Sequence, residues 1–489
     1  MNNLEIYFSD FRKNIVGINQ TFNSPFGQKQ IIYADWVASG RLYEPIEKKL
    51  LEDFGPFVAN THTETTVTGT LMTNAYHEAR HIIKRHVNAS ENDVLIFAGY
   101  GMTAAINKFQ RLLGLRVPEQ LQSQIKLEGN DRPVVILTHM EHHSNQTSWL
   151  ETLAEVVVLE PDENGLVDLN KLEEVLKHYS ERKLKIGSFT AASNVTGIMP
   201  DLRAMAKLMH EYDGLCFADF AMAAPYIEIN MHPDDPAEKL DAIFFSPHKF
   251  LGGPGSSGIL IFDSKLYERK IPDHPGGGTV DWTNPWGEHK YVDDIEMRED
   301  GGTPGFLQAI RGALAIKLKE QMSTEKILER EEELLEIAIP RLEKIDKIHL
   351  LAPTNIKRLG VLSFYAEDIH YNFFVKILND MYGIQTRGGC SCAGTYGHYL
   401  LHIDPTRSHQ ITDEINKGHL EHKPGWVRLS LHPTMTNDEL NFILDAIEDV
   451  IKNHEKYVKD YDYNPHTNEF THKNFNDNKN QVVNSWFEL

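Results

Sequence analysis

Residues Ser246–Leu260 read SPHKFLGGPGSSGIL. They follow one apolar run, Ala242–Ser246 (AIFFS), and lead into another, Gly258–Phe262 (GILIF). A lysine between an apolar strand and a glycine-rich turn is unusual, because charged side chains seldom close buried strands unless paired or reactive. In an open α/β sheet, ligands gather at the carboxyl ends of the strands, and Lys249 falls just beyond such an end. Its amine could form an imine with an aldehyde cofactor. Standing alone, such a lysine reads more simply as solvated.

Working outward, five more apolar runs have strand length: Val94–Ala98, Val134–Thr138, Val156–Leu159, Ile186–Thr190 and Leu215–Asp219. Helical periodicity falls between several of them, over Thr103–Leu113, Leu169–His178 and Asp201–Tyr212. Near-continuous apolar strands alternating with helices predict an α/β fold with a mostly parallel, seven-stranded sheet covered on both faces. The pattern changes after residue 305. A helical stretch, Phe306–Ile345 with a break at Pro340, leads into strands Val361–Tyr365 and Trp426–Leu431 and helices near Tyr371–Met381 and Asn437–Asn453. The expected organisation is an N-terminal segment (1–50) that packs with the small domain or covers the active site, then a large domain (51–305). A smaller α+β domain (306–455) and a polar tail (456–489) with no assigned structure follow.

Composition narrows the function. The chain of 489 residues carries 70 acidic and 49 basic side chains, a formal charge of -21, which argues against nucleic acid or an anionic membrane as partner. Three cysteines are too few for a disulfide framework, and no run is long enough to span a bilayer. These features predict a soluble cytoplasmic protein.

Several segments could join Lys249. Asp219 ends the strand LCFAD, where a carboxylate can keep a pyridine nitrogen protonated; it could equally be a turn or capping Asp. Phe97–Asn107 (FAGYGMTAAIN) combines a strand end, glycines and a helix start at Met102 and Thr103, an arrangement suited to phosphate. Ser246 and His248 could add donors. In THMEHHSN (Thr138–Asn145), His142 could stack on a planar cofactor and shuttle protons near neutral pH. The spacing does not suit a metal site, and none is expected. In RGGCSCAG (Arg387–Gly394), two thiols lie beside an arginine, as a reactive thiolate requires; incidental thiols are the plainer reading. Cys216, inside an apolar strand, reads as a core residue.

Together with YADWVASG, SNVTG, FADFAMAAP, GGTPG and WVRLSL, these pieces resemble the class V aminotransferase family of fold-type I pyridoxal 5′-phosphate (PLP) enzymes, from about Tyr33 to Asn453. Within it the chain is most similar to group II cysteine desulfurases and selenocysteine lyases. The resemblance implies Lys249 as the Schiff-base lysine, Asp219 as the pyridinium partner and His142 as the ring-stacking histidine. It places Asn194 near the phenolic oxygen and the substrate, and Met102, Thr103, Ser246 and His248 around the phosphate. Thr303 would reach the phosphate from a second subunit, implying a homodimer. Arg428, with Arg387 and Ala38, would hold the substrate, and Cys392 would be the nucleophile that takes sulfur from L-cysteine as a persulfide, releasing alanine. A sulfur-acceptor protein is the implied partner.

Three features depart from the family. Met222 stands where desulfurases commonly place a glutamine facing the phenolic oxygen, and a thioether donates no hydrogen bond. Cys390 adds a second thiol two residues from Cys392, which could resolve a persulfide as an intramolecular polysulfide or disulfide, or be a bystander. The stretch from Tyr399 to Pro424 looks like an insertion that could reshape the substrate mouth or an acceptor's docking surface. They leave open another reaction on the same scaffold: epimerisation, transamination or a C–S β-lyase cleavage. A non-catalytic sulfur-relay protein is the remaining reading.

Overall fold

The computed structural model describes residues 3–61 and 63–489. Its centre is a seven-stranded sheet built from β1 (Asp93–Ala98), β2 (Val134–Thr138), β3 (Glu155–Leu159), β4 (Lys185–Thr190), β5 (Leu215–Asp219), β6 (Ala242–Phe245) and β7 (Gly258–Asp263). The spatial order is β1-β7-β6-β5-β4-β2-β3. β7 runs antiparallel to both neighbours and every other pair is parallel. Two reversals around β7 return β1 to the common direction, so the segments after β1, β2, β4, β5 and β6 all leave one edge of the sheet. Three of the seven strands are buried at every residue and three more at all but one, which is why their sequences read as continuous apolar runs rather than alternating ones. Helices Met102–Leu112 and His143–Leu150 pack on one face through Phe109 and Trp149, against Phe217 and Phe262. The other face is covered by Val67–His86, Leu169–His178 and Leu202–Glu211.

A second, antiparallel sheet contains β8 (Ile348–Leu350), β9 (Val361–Ala366), β10 (Arg387–Gly389) and β11 (Trp426–Ser430) in the order β8-β9-β11-β10. Helix Asn437–Val458 lays Leu440, Ile443, Leu444, Ile447 and Val450 against it. Those positions recur at the spacing of one helical face, and Thr436 caps the helix by accepting from the Glu439 N–H at 3.1 Å.

The N-terminal segment joins the two bodies. Ile32–Tyr33 pairs in parallel with Ile384–Gln385, and the Ser430 N–H donates to the Ala34 carbonyl at 2.9 Å. Six residues on, the Gly40 N–H donates to the His248 carbonyl at 2.9 Å. A Cβ at Gly40 would lie 1.9 Å from the Phe250 carbonyl oxygen, so only glycine permits this approach.

Three sequence expectations are corrected here. The helix Phe306–Met322, expected to open the small domain, packs along Val67–His86 and contributes Ala309, Ile310, Ala313 and Ile316 to the large-sheet core. The break in the long helical stretch lies at Ser323, where φ is +61°, and the next helix, Thr324–Glu343, continues through Pro340. The polar tail contains a hairpin, Tyr461–Asn464 with Glu469–His472, whose Tyr461 is buried in the small-sheet core, and a helix, Lys479–Ser485.

Candidate active site

The common edge of the large sheet opens into a cavity of about 610 Å³, closed on its far side by β10, β11 and the cysteine loop. Lys249, Asp219, His142, Asn194, Thr103, Met102, Ser246, His248, Met222, Ala38, Arg387, Arg428 and Cys392 all line it. Thr303 does not. It lines a separate cavity of about 450 Å³ and donates to the Asn60 side chain at 3.3 Å. The two cavities abut at Tyr100 and Ala104.

Burial pulls the Lys249 ammonium down to about 8; Asp219 opposes the fall, and Arg428 and Arg387 add to it. Asp219 is 4% exposed. Its Oδ1 accepts from the Ala221 N–H at 2.8 Å. Desolvation nevertheless pushes this carboxyl up to about 6, against that hydrogen bond and the attraction of Lys249. A buried carboxylate with one backbone donor is short of positive charge, which a protonated ring nitrogen would supply.

His142 caps its helix by accepting the Ser144 N–H on Nδ1 at 3.1 Å, leaving the proton on Nε2. Desolvation, then Lys249, His143, Arg387 and Arg428, lower it to about 3. The expected shuttling near neutral pH is therefore replaced, in the cofactor-free chain, by a neutral ring with one fixed donor. His248 is likewise lowered to about 4 by burial and Lys249.

Also on the cavity wall, the helix Met102–Leu112 starts at Gly101 with no capping side chain. The Met102 N–H donates to Ser246 Oγ at 2.8 Å, and Thr103 Oγ1 lies 2.6 Å from Ser144 Oγ. A Cβ at Gly101 would meet Ser246 Oγ at 3.1 Å and His248 Nε2 at 3.4 Å. The glycine thus keeps a small polar cradle open at a helix N-terminus, the environment that favours phosphate.

Arg428 is 2% exposed. Its Nη2 donates to Asp35 Oδ1 at 2.6 Å and its Nη1 to the Asn194 carbonyl at 3.2 Å, while Nε has no partner. Asn194 gives its amide N–H to the Ser391 carbonyl at 2.7 Å, so it ties the cysteine loop as well as lining the cavity. Two residues escaped sequence reasoning. Asp35, inside YADWVASG, is the charge partner of Arg428. Glu141 is fully buried and accepts from Thr138 Oγ1 (2.6 Å), Asn145 Nδ2 (2.7 Å) and the Thr190 N–H (3.0 Å). It thereby ties the ends of β2 and β4 together directly before His142. A charged residue in an otherwise apolar or small-residue run was the available signal for Asp35; Glu141, set among histidines in THMEHHSN, offered none.

Cys392 Sγ lies 4.0 Å from Arg387 Nη2. Cys216 is buried in β5, where desolvation pushes its thiol up, and it takes no part in the cavity.

A family profile described as Aminotransferase class-V matches residues 32–443. The chain belongs to the class-V aminotransferase family. Among relatives, a probable cysteine desulfurase of Halalkalibacterium halodurans is 29% identical over 371 residues, covering 74% of this chain and 84% of that one. A probable cysteine desulfurase of Borreliella burgdorferi is 27% identical over 439 residues, covering 88% and 94%. The cysteine desulfurase from Thermococcus onnurineus NA1 superposes with a TM-score of 0.72 at 23% identity, covering 91% and 98%. CsdA from Escherichia coli superposes with a TM-score of 0.69 at 21% identity, covering 91% and 98%. Class-V enzymes use PLP, and the residues of this cavity fit it: an amine at Lys249, an under-compensated carboxylate at Asp219, a neutral ring at His142 and a glycine cradle for phosphate.

Proposed function

We propose that this class-V enzyme is a cysteine desulfurase, taking sulfur from L-cysteine onto Cys392 and releasing alanine. The observation that carries this reading is a thiol facing the same cavity as Lys249 and Arg428, with a guanidinium 4.0 Å from its sulfur. Cysteine desulfurase names among the relatives support it.

When bound, PLP withdraws electrons from the α-carbon of an attached amino acid. Lys249 would hold the cofactor, and its free amine would be placed in the same cavity to take the substrate α-proton. Asp219 would supply the negative charge that keeps a ring nitrogen protonated. Arg428 orients the substrate carboxylate, with Asp35 and the Asn194 carbonyl fixing the guanidinium plane. The Nε2–H of His142 is a single donor facing the reacting region. Cys392 attacks the substrate sulfur, the carbon–sulfur bond breaks, and Arg387 places positive charge beside the attacking sulfur. The cations Lys249, Arg387 and Arg428 make the cavity locally attractive to a carboxylate despite the charge of -21.

Thr303 completes the phosphate site of a second subunit in this reading. Its absence from the Lys249 cavity of its own chain is what a homodimer with shared sites requires. A thiol-bearing sulfur acceptor in the cytoplasm is the expected partner.

The test is to incubate PLP-loaded protein with L-cysteine, with dithiothreitol to reduce the persulfide, and measure alanine and sulfide. Alanine formation that is lost in C392A is expected. No turnover, or full turnover by C392A, contradicts the reading.

A further inference from the structure

The cysteine loop is a tight turn rather than a flexible arm. The Ala393 N–H donates to the Cys390 carbonyl at 3.0 Å, closing a four-residue turn. Its two central residues, Ser391 and Cys392, have φ of +50° and +57°. Positive φ at both central positions is the habit of primed turns, which usually take Asn-Gly. For non-glycine residues this conformation is strained by the approach of Cβ to the following carbonyl oxygen.

External bonds hold the turn in that shape. The Ser391 carbonyl accepts from Asn194, and the Cys392 carbonyl accepts from the His143 N–H at 2.8 Å. The Gly394 N–H donates to His143 Nε2 at 2.9 Å, and Thr395 Oγ1 donates to Gln146 at 2.9 Å. Cys392 therefore faces the Lys249 cavity on a clamped turn. A sulfur received there cannot be carried to the surface by a swinging loop without breaking these bonds.

Cys390 stands at the first position of the same turn and looks elsewhere. It is half-buried, absent from the lining of the Lys249 cavity, and packed with Leu400 and Leu401 against the cluster that contains Tyr396 and Trp426. Leu400, Leu401 and Tyr371, an electrostatic neighbour of Cys390, line another cavity, of about 370 Å³, beside the 399–424 stretch; Cys390 lies next to these residues without lining it. Two residues apart, the two Cα atoms are separated by about 7 Å at most, inside the span that two cysteine sulfurs can bridge when their Cβ atoms turn toward each other, and the outer sulfur of a persulfide lengthens the reach of Cys392.

We infer that Cys390 is a sulfur relay, taking the sulfane sulfur from Cys392 and presenting it on the side of the insertion. This rests on the desulfurase reading above. The Cys390 thiolate attacks the outer sulfur of the Cys392 persulfide. A new sulfur–sulfur bond forms at Cys390, the old one breaks, and Cys392 leaves as a thiolate. The persulfide proton stays on the transferred sulfur. Negative charge moves from one cysteine to the other with no net oxidation, and Cys392 is ready for another substrate.

The experiment uses PLP-loaded full-length protein, L-cysteine, rapid alkylation and peptide mass spectrometry, with alanine measured in parallel. In the unaltered enzyme the extra sulfur is expected on Cys390. In C390S it stays on Cys392, and turnover stalls after one alanine per active site. With a thiol attached to a polyethylene glycol chain as acceptor, steady-state alanine release by C390S falls about tenfold or more, while dithiothreitol, small enough to enter the cavity, restores it. A normal first turnover with sulfur confined to Cys392 in the unaltered enzyme, and C390S equally fast with the bulky thiol, overturns the relay alone. No alanine from the unaltered enzyme removes the desulfurase reading, and the relay with it.

Discussion

Replacing Asp219 by Asn stabilises the cofactor-free protein while disabling the enzyme. The carboxyl is 4% exposed and raised from 3.8 to about 6, chiefly by desolvation. At about 1.36 kcal/mol per pKa unit, holding it ionised costs the cofactor-free fold about 3 kcal/mol at pH 7.5. The sign follows from proton uptake: between 3.8 and about 6 the folded state binds more protons than the unfolded one, so stability falls as pH rises through that window. About half of the penalty remains at pH 5. The denaturant midpoint of stripped D219N, followed by fluorescence and far-UV dichroism together, should exceed that of the unaltered chain at pH 7.5, with the gain roughly halved at pH 5. With PLP bound, the same variant should lose about 10²-fold or more in turnover, because the ring nitrogen has lost its fixed counter-charge. A gain that is absent, or unchanged between the two pH values, would refute the claim that Asp219 is a carboxylate awaiting a cation.

The rate at which the stripped protein captures PLP should rise with pH through about 8 and then level, because only the neutral Lys249 amine attacks an aldehyde; stopped-flow absorbance reads this directly. R428K should keep the cofactor's absorbance but raise KM for the amino acid about 10–100-fold, since an ammonium cannot hold Asp35, the Asn194 carbonyl and a substrate carboxylate in one plane. Y461A should cost about 3–5 kcal/mol, because Tyr461 is 5% exposed and its hydroxyl donates to Asp380 at 2.9 Å; an unchanged denaturation midpoint would show that the tail hairpin does not brace the small sheet.

The large sheet was legible because strands buried on both faces must be apolar throughout, and Lys249 and Asp219 stood out as charges at the ends of such runs. The glycines of FAGYGMT marked the phosphate cradle for a similar local reason. What the sequence hid was non-local. Helix Phe306–Met322 is apolar around much of its circumference, so its pattern names no partner, and only the structure shows it lying on Val67–His86. Asp35 and Arg428 are 393 residues apart, and neither position alone announces an ion pair. The tail hairpin alternates Tyr461 and Tyr463 against Phe470 and His472, a two-residue period obscured by its polar composition. The turn at Cys390–Ala393 was least legible of all, because Ser391 and Cys392 adopt a backbone usually reserved for Asn and Gly, held there by Asn194 and by the helix His143–Leu150.

The most direct test of the whole account is borohydride reduction of the PLP-loaded protein followed by peptide mapping. The phosphopyridoxyl group should lie on Lys249, and K249A should carry none. Labelling of a different lysine, or undiminished labelling of K249A, would contradict the assignment on which every other role in the cavity depends.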